Sequence, residues 1–265
     1  MSEGLSFIEW FLLRYAYLVG QPIYRAENKE LYGIEILTRF KDETTLRPYF
    51  FFQELVKDWQ KVVFFYKWQI QELLKLSFPR EVKIFVNLLP EVMLYFSVLT
   101  SLFEDFISTH QGQIVFEISE TYLGSWKQNV REFSTFLKKT KESLGNVNFF
   151  VDDFGAWNSF SFSLICTDLI EGIKLDTQFV KQLSSEANDK ALTITKHLLL
   201  LSKKLGLITC AEGVESEDVY EKLKSLEVDL LQGFYFCEPK ELSFLLEILN
   251  KRTPNERRGK SEVSF

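Results

Sequence analysis

Asn148-Phe149-Phe150-Val151-Asp152-Asp153-Phe154-Gly155 is the stretch on which the reading of the fold turns. Its short apolar run predicts a buried strand over Asn148–Asp152, and that strand closes on two adjacent carboxylates. Acid at the end of a buried strand needs a partner, because an unpaired ion is costly to desolvate. The same signature recurs along the chain. Asn87 closes Ile84-Phe85-Val86, Glu117 closes Ile114-Val115-Phe116, and Glu212 closes Thr209-Cys210-Ala211. Glu35 sits inside Ile34–Leu37, Lys174 inside Gly172–Asp176, and Gln232 follows Leu230-Leu231. Seven strands thus each bring a polar group to their C-terminal end.

The other strands are expected at Leu18–Tyr24, Tyr32–Arg39, Lys83–Leu88, Ile114–Ile118, Gly172–Leu175, Ile208–Ala211 and Leu230–Phe236. Helical patterns separate them at Tyr49–Leu76 (broken at least once), Glu91–Ile107, Gln128–Ser143, Lys190–Leu205, Glu217–Leu226 and Glu241–Asn250. Alternation of this kind over roughly 250 residues suits an α/β fold of the TIM-like (β/α)8 type, a single barrel. A doubly wound sheet would carry a glycine-rich phosphate turn early in the chain, and none is present. The barrel is expected over residues 21–250, after an N-terminal packed segment at 1–20 and before a polar flexible tail at 251–265. Leu5–Val19, interrupted by Glu9 and Arg14, is too short to span a membrane and lacks the basic start of a signal peptide.

In a barrel all those strand ends meet at one mouth. Five carboxylates, Glu35, Glu117, Asp152, Asp153 and Glu212, would then repel one another in a desolvated pocket. One Lys174 is too little to offset that, whereas two divalent cations suffice. Oxygen must hold them: the two histidines and three cysteines lie at no zinc-ligand spacing. Three widely spaced cysteines without a CxxC suit reduced thiols and a cytoplasmic location. A net charge of −6 disfavours a nucleic-acid polymer as partner.

These tracts resemble the EAL-domain cyclic di-GMP phosphodiesterase family. Glu35-Ile36-Leu37-Thr38-Arg39 is similar to its Glu-Ala-Leu-Leu-Arg, and Gln21-Pro22-Ile23 to its Gln-Pro-Ile. Val86-Asn87, Glu117-Ile118-Ser119-Glu120, Asp152-Asp153-Phe154-Gly155 and Ile173-Lys174-Leu175-Asp176 follow in family order. Ala211-Glu212-Gly213-Val214-Glu215, Gln232-Gly233-Phe234 and Pro239 complete it. The resemblance implies a two-metal hydrolase that opens cyclic di-GMP to linear pGpG. It implies that Glu35, Asn87, Glu117 and Asp152 hold one Mg²⁺ or Mn²⁺, and Asp152, Asp153 and Glu212 the second. Lys174, with Glu35 and Glu212, is the implied catalytic group. Gln21, Leu37, Arg39, Gln232 and Pro239 are the implied substrate contacts, and Glu120 the acid that braces a loop. A homodimer is a further expectation of the family; with no cyclase, receiver or PAS-like tract in these residues, control is expected from a regulatory protein partner, from oligomerisation or from the loop after the aspartates.

From the residues alone other readings stay open. Arg39 suits a rim salt bridge as well as a phosphate contact, Leu37 and Pro239 suit plain packing, and Gln232-Gly233 suits a strand bend. The loop after the aspartates departs from the family, reading Gly155-Ala156-Trp157-Asn158-Ser159 with tryptophan where a second glycine is usual. That departure leaves a second function in view, an EAL-like receptor or protein-interaction module that binds cyclic di-GMP without turnover. A barrel glycosidase built on Glu117 and Glu212 accounts for neither Asn87 nor Lys174.

Overall fold

The computed structural model of the protein describes residues 6–41, 48–89, 96–110, 113–119, 130–154, 160–183 and 189–251. The chain opens on helix α1 (Phe7–Tyr15). Ser6 caps it: its hydroxyl accepts the Glu9 N–H while the Glu9 carboxylate accepts the Ser6 N–H. Phe11, on its buried face, packs on Phe40 and Phe51. Strands β1 (Ala16–Arg25) and β2 (Leu31–Phe40) follow, then α2 (Pro48–Leu55), α3 (Trp59–Leu73) and β3 (Lys83–Asn87). The break expected within Tyr49–Leu76 falls between α2 and α3, where Asp58 caps α3 through the Gln60 N–H.

Next come α4 (Phe96–Thr109), β4 (Ile114–Ser119), α5 (Val130–Leu144), β5 (Val147–Phe154), α6 (Phe160–Ile165) and β6 (Ile170–Leu175). The series ends with α7 (Thr177–Leu183), α8 (Asp189–Lys204), β7 (Ile208–Ala211), α9 (Glu217–Ser225), β8 (Leu230–Leu231), β9 (Lys240–Glu241) and α10 (Leu242–Lys251). The short helices α6 and α7 carry no clear amphipathic period and are absent from the sequence expectation.

Strands β2 through β8 pair in parallel in chain order, and β1 closes the ring by pairing with both β8 and β2. The expected barrel is therefore present, with one difference: β1 runs antiparallel to both neighbours. Only a tight turn joins β1 to β2, with Lys29 N–H donating to the Arg25 carbonyl and Lys29 at φ 58°. A parallel crossover needs a dozen residues or more, so a turn this short leaves only the antiparallel choice. The barrel thus starts at Ala16, inside the stretch assigned to the N-terminal segment.

A second difference concerns Leu230–Phe236, where strand pairing stops at Leu231. Beyond it the Gln232 carbonyl accepts the Val214 N–H, the Tyr235 N–H donates to Val214, and Phe236 N–H turns back to Gly233. These bonds satisfy the backbone in a turn and draw it off the ladder.

Inside the ring a small apolar plug, Ile23, Tyr32, Phe85, Val115, Phe150, Cys210 and Leu230, is separate from the outer core under the helices. Phe85 and Phe150 meet edge-to-face at 5.4 Å in its centre. Glycine makes the room: a Cβ on Gly33 would stand 2.5 Å from the Phe85 ring, and one on Gly172 2.5 Å from the Phe150 ring. At Gly172 the Ile208 carbonyl oxygen would also lie at 2.7 Å, and backbone does not yield. Gly172→Ala is therefore expected to destabilise the barrel by about 1–3 kcal/mol. The check is a lower urea midpoint at unchanged slope; an unmoved midpoint would show that the plug is loose.

Candidate active site

The plug fixes the site above it, because side chains two residues apart on a strand point to one face. Phe85, Val115, Phe150, Gly172, Cys210 and Leu230 lie at plug level. Two residues further on stand Asn87, Glu117, Asp152, Lys174, Glu212 and Gln232; Glu35 is two beyond Gly33. The polar layer expected from strand ends is thus one storey of the barrel, resting on an apolar floor.

Lys174, with no solvent exposure, is the centre of that storey. Its Nζ lies 2.8 Å from Glu117 Oε1, 2.5 Å from Glu212 Oε1, 3.3 Å from Glu35 Oε2 and 3.5 Å from Asp152 Oδ1. Gln232, also buried, donates its amide to Glu35 Oε2 at 2.7 Å. Gln232, an implied substrate contact, thus also holds Glu35 in place.

Asp152 and Asp153 are neighbours, and a regular strand would aim them at opposite faces. The pairing of β5 with β6 shifts register between Val151 and Phe154, and Asp153 takes the left-handed region at φ 55°. Such an irregularity re-aims a side chain, and aspartate tolerates the conformation better than most residues. In consequence Asp152, Asp153 and Glu212 offer oxygens that all lie within 4.8 Å of one another. Ser119 Oγ donates to Asp153 Oδ2 at 2.9 Å and fixes that carboxylate. Sequence reasoning gave Ser119 no role, although a hydroxyl two residues beyond Glu117, on the same face of the strand, was a visible signal.

Burial dominates the electrostatics. It holds the Glu117 carboxyl well above the usual carboxylate range, Glu35 and Asp152 add repulsion, and Lys174 opposes both. Burial likewise pushes Glu212 up to about 8 and Asp152 up to about 6 against the pull of Lys174. For Lys174 burial alone would lower the pKa, yet Asp152, Glu117, Glu212 and Glu35 together raise it well above normal.

The donor set fits hard cations. Neither Glu117 oxygen nor Asp152 Oδ1 has a hydrogen-bond partner among the described residues. Glu117 Oε1 is within ion-pair range of Lys174 but not aligned as a hydrogen bond, and distance decides the electrostatics here. Buried acceptor oxygens left in this way suit Mg²⁺ or Mn²⁺, which take oxygen ligands.

The remaining expected residues ring the mouth. Gln21 is the antiparallel partner of Glu35, so the two side chains share a face. Leu37 and Arg39 continue that face toward the rim and are half-buried. Arg39 Nη1 donates to the Thr38 carbonyl at 3.2 Å. Leu37, Arg39, Asn87 and Ser119 line a cavity of about 170 Å³ that reaches back to Phe52 and Gln69. Pro239 is half-buried and precedes Lys240, the partner of Gly20, which sets it opposite Gln21. Glu120 and residues 156–159 of the altered loop lie outside the described residues.

A closed ring of strands with a carboxylate-rich mouth defines the class as a TIM-like (β/α)8 barrel. A family model described as the EAL domain matches residues 14–239, and the chain belongs to the EAL domain family. The chain is 26% identical over 234 residues to the probable cyclic di-GMP phosphodiesterase PdeD of Escherichia coli strain K12, covering 85% of this chain. It spans only 42% of PdeD's length. Among solved structures, the EAL domain protein from Listeria monocytogenes EGD-e superposes with a TM-score of 0.68 at 27% identity, covering 94% of this chain and 98% of that one. The FimX EAL domain from Pseudomonas aeruginosa, described as bound to c-di-GMP, superposes with a TM-score of 0.70 at 19% identity, covering 90% and 98%. No helix among the described residues is long and apolar enough to cross a membrane.

Proposed function

We propose that this protein hydrolyses cyclic di-GMP to linear pGpG, in the cytoplasm, using two divalent cations. The observation that carries the reading is the gathering of Glu35, Glu117, Asp152 and Glu212 around a buried lysine, with Asp153 beside Asp152 and Glu212. On this reading Glu35, Asn87, Glu117 and Asp152 hold one cation, and Asp152, Asp153 and Glu212 the other. Bound there, Mg²⁺ or Mn²⁺ would lower the pKa of water and neutralise charge on the phosphodiester.

The chain's own groups do the rest. Arg39 would grip a non-bridging phosphate oxygen, a task suited to a planar guanidinium. Gln21, Leu37 and Pro239 would seat the nucleoside at the rim. Gln232 keeps Glu35 turned inward. As the water oxygen bonds to phosphorus, the bond to the ribose 3′ oxygen would break and the water's proton would end on that oxygen, leaving a 3′ hydroxyl and a 5′ phosphate on the linear product. Lys174 keeps its proton under four carboxylates, so it would stabilise the negative charge that develops rather than act as a base. Glu120 would brace the loop after β5, and a homodimer or regulatory partner would act through that region. We assign the barrel to 21–250 together with β1 from Ala16; the tail expected at 251–265 lies, beyond Lys251, outside the described residues.

Incubation of the purified chain with cyclic di-GMP and Mg²⁺ or Mn²⁺ is expected to release pGpG, and Glu35→Ala to abolish release. Saturable binding without product at any cation concentration would favour a receptor instead.

A further inference from the structure

After Asn87 the chain leaves the β3 ladder while still buried, so its backbone groups need other partners. Leu88 N–H finds the Glu117 carbonyl at 2.7 Å. The next two groups are served by one phenol. The Tyr66 hydroxyl donates to the Asn87 carbonyl oxygen at 2.9 Å and accepts the Leu89 N–H at 2.9 Å. Tyr66 belongs to α3, in the helical layer outside the barrel wall, and is fully buried. Its ring is held edge-on by Phe65 at 5.4 Å and Phe103 at 5.8 Å.

Packing of α3 is provided by the ring and its neighbours, and phenylalanine would fill the same space. Among the described residues the hydroxyl adds two bonds, both to the segment that carries Asn87. We infer that Tyr66 is a positioning residue for the cation site: from the helical layer it fixes the backbone from which the Asn87 amide reaches the mouth. The inference rests on the reading of Asn87 as a cation donor. Groups behind metal ligands typically change affinity about 10- to 100-fold when removed, and Tyr66 stands in that relation to Asn87.

The test is Mn²⁺ binding to the full chain, read by calorimetry and by the spin signal of free Mn²⁺. Tyr66→Phe is expected to weaken binding about tenfold, with Asn87→Ala at least as weak. The double variant should be no weaker than Asn87→Ala alone, since both act on one donor. Phe103→Leu, which loosens the same packing without touching the hydroxyl, should lower the melting temperature and keep wild-type affinity. Where Tyr66→Phe does not fold, Tyr66→Met removes the hydroxyl with a different repacking. If Tyr66→Phe binds Mn²⁺ within about twofold of wild type while Asn87→Ala is weakened, the positioning role is overturned. If Asn87→Ala itself binds like wild type, the donor reading of Asn87 falls, and this inference with it.

Discussion

Lys174→Met is expected to lower the melting temperature at pH 8, without divalent cations, by on the order of 10 °C. Removing one partner of a buried ion pair costs about 3–5 kcal/mol, and about 1 kcal/mol moves a chain of this size by about 2–4 °C. The physical cause is four carboxylates that lose the ammonium within 2.5–3.5 Å of them. The sign with pH follows from their titration. Even with Lys174 present, burial raises Asp152 to about 6 and Glu212 to about 8, above their unfolded values of roughly 4. Acids raised in this way contribute stability that is present below about pH 4 and lost as pH rises through the folded value. Without the lysine they are raised further. The deficit against wild type should therefore be small near pH 4 and grow to pH 8. Wild-type Lys174 stays protonated throughout that window, so the change with pH comes from the acids around it. Mn²⁺ should restore part of the lost stability, while turnover of cyclic di-GMP stays down about 10²- to 10³-fold. Melting curves from pH 4 to 8, with and without Mn²⁺, decide the matter. A variant that melts like wild type at every pH would mean that the ammonium does not compensate these acids.

Such a storey of charge was legible in the sequence because each member ends an apolar strand, and strand ends in a barrel have one destination. The separation of Glu35 from Glu212 by most of the chain did not hide it. The orientation of β1 was legible too, and was missed: a handful of residues between Tyr24 and Tyr32 is too short for a crossover. The local turn of Asp153 was not legible. Alternation assigns Asp152 and Asp153 to opposite faces, and only the shifted pairing of β5 with β6 brings both to the mouth. Gln232 shows another kind of limit. Its residue type suits a base contact, and nothing local reveals that Glu35, from a distant strand, occupies its amide. Tyr66 is the extreme case, a helix residue whose two bonds to Asn87 and Leu89 exist only once α3 is laid against β3.

Glu117→Gln should separate what the acids do for stability from what they do for chemistry. Glu117 has no solvent exposure, and its oxygens have no hydrogen-bond partner among the described residues. Burial, then Glu35, hold its carboxyl well above the usual range, so the charged form is disfavoured in the fold. Glutamine imitates the protonated acid in shape and charge. Near pH 4 wild-type Glu117 is itself protonated, and the variant should melt with it. As pH rises above about 4, where the unfolded acid ionises, wild type loses the stability of the neutral form and glutamine does not. At pH 8 without divalent cations the variant is therefore expected to be the more stable, by on the order of 1 kcal/mol or a few degrees. Lys174 tolerates the change because Glu35, Asp152 and Glu212 remain around it. Function should move the other way. A neutral amide is a poorer ligand for a hard cation than a carboxylate, so stabilisation by Mn²⁺ should shrink and turnover fall about 10²- to 10³-fold. A site that is more stable when it is less competent is what a cation-binding cluster of acids requires, since the cation offsets the repulsion that the fold carries without it. Lower stability of Glu117→Gln at pH 8, joined to normal Mn²⁺ binding, would make Glu117 a structural partner of Lys174 and remove it from the ligand set.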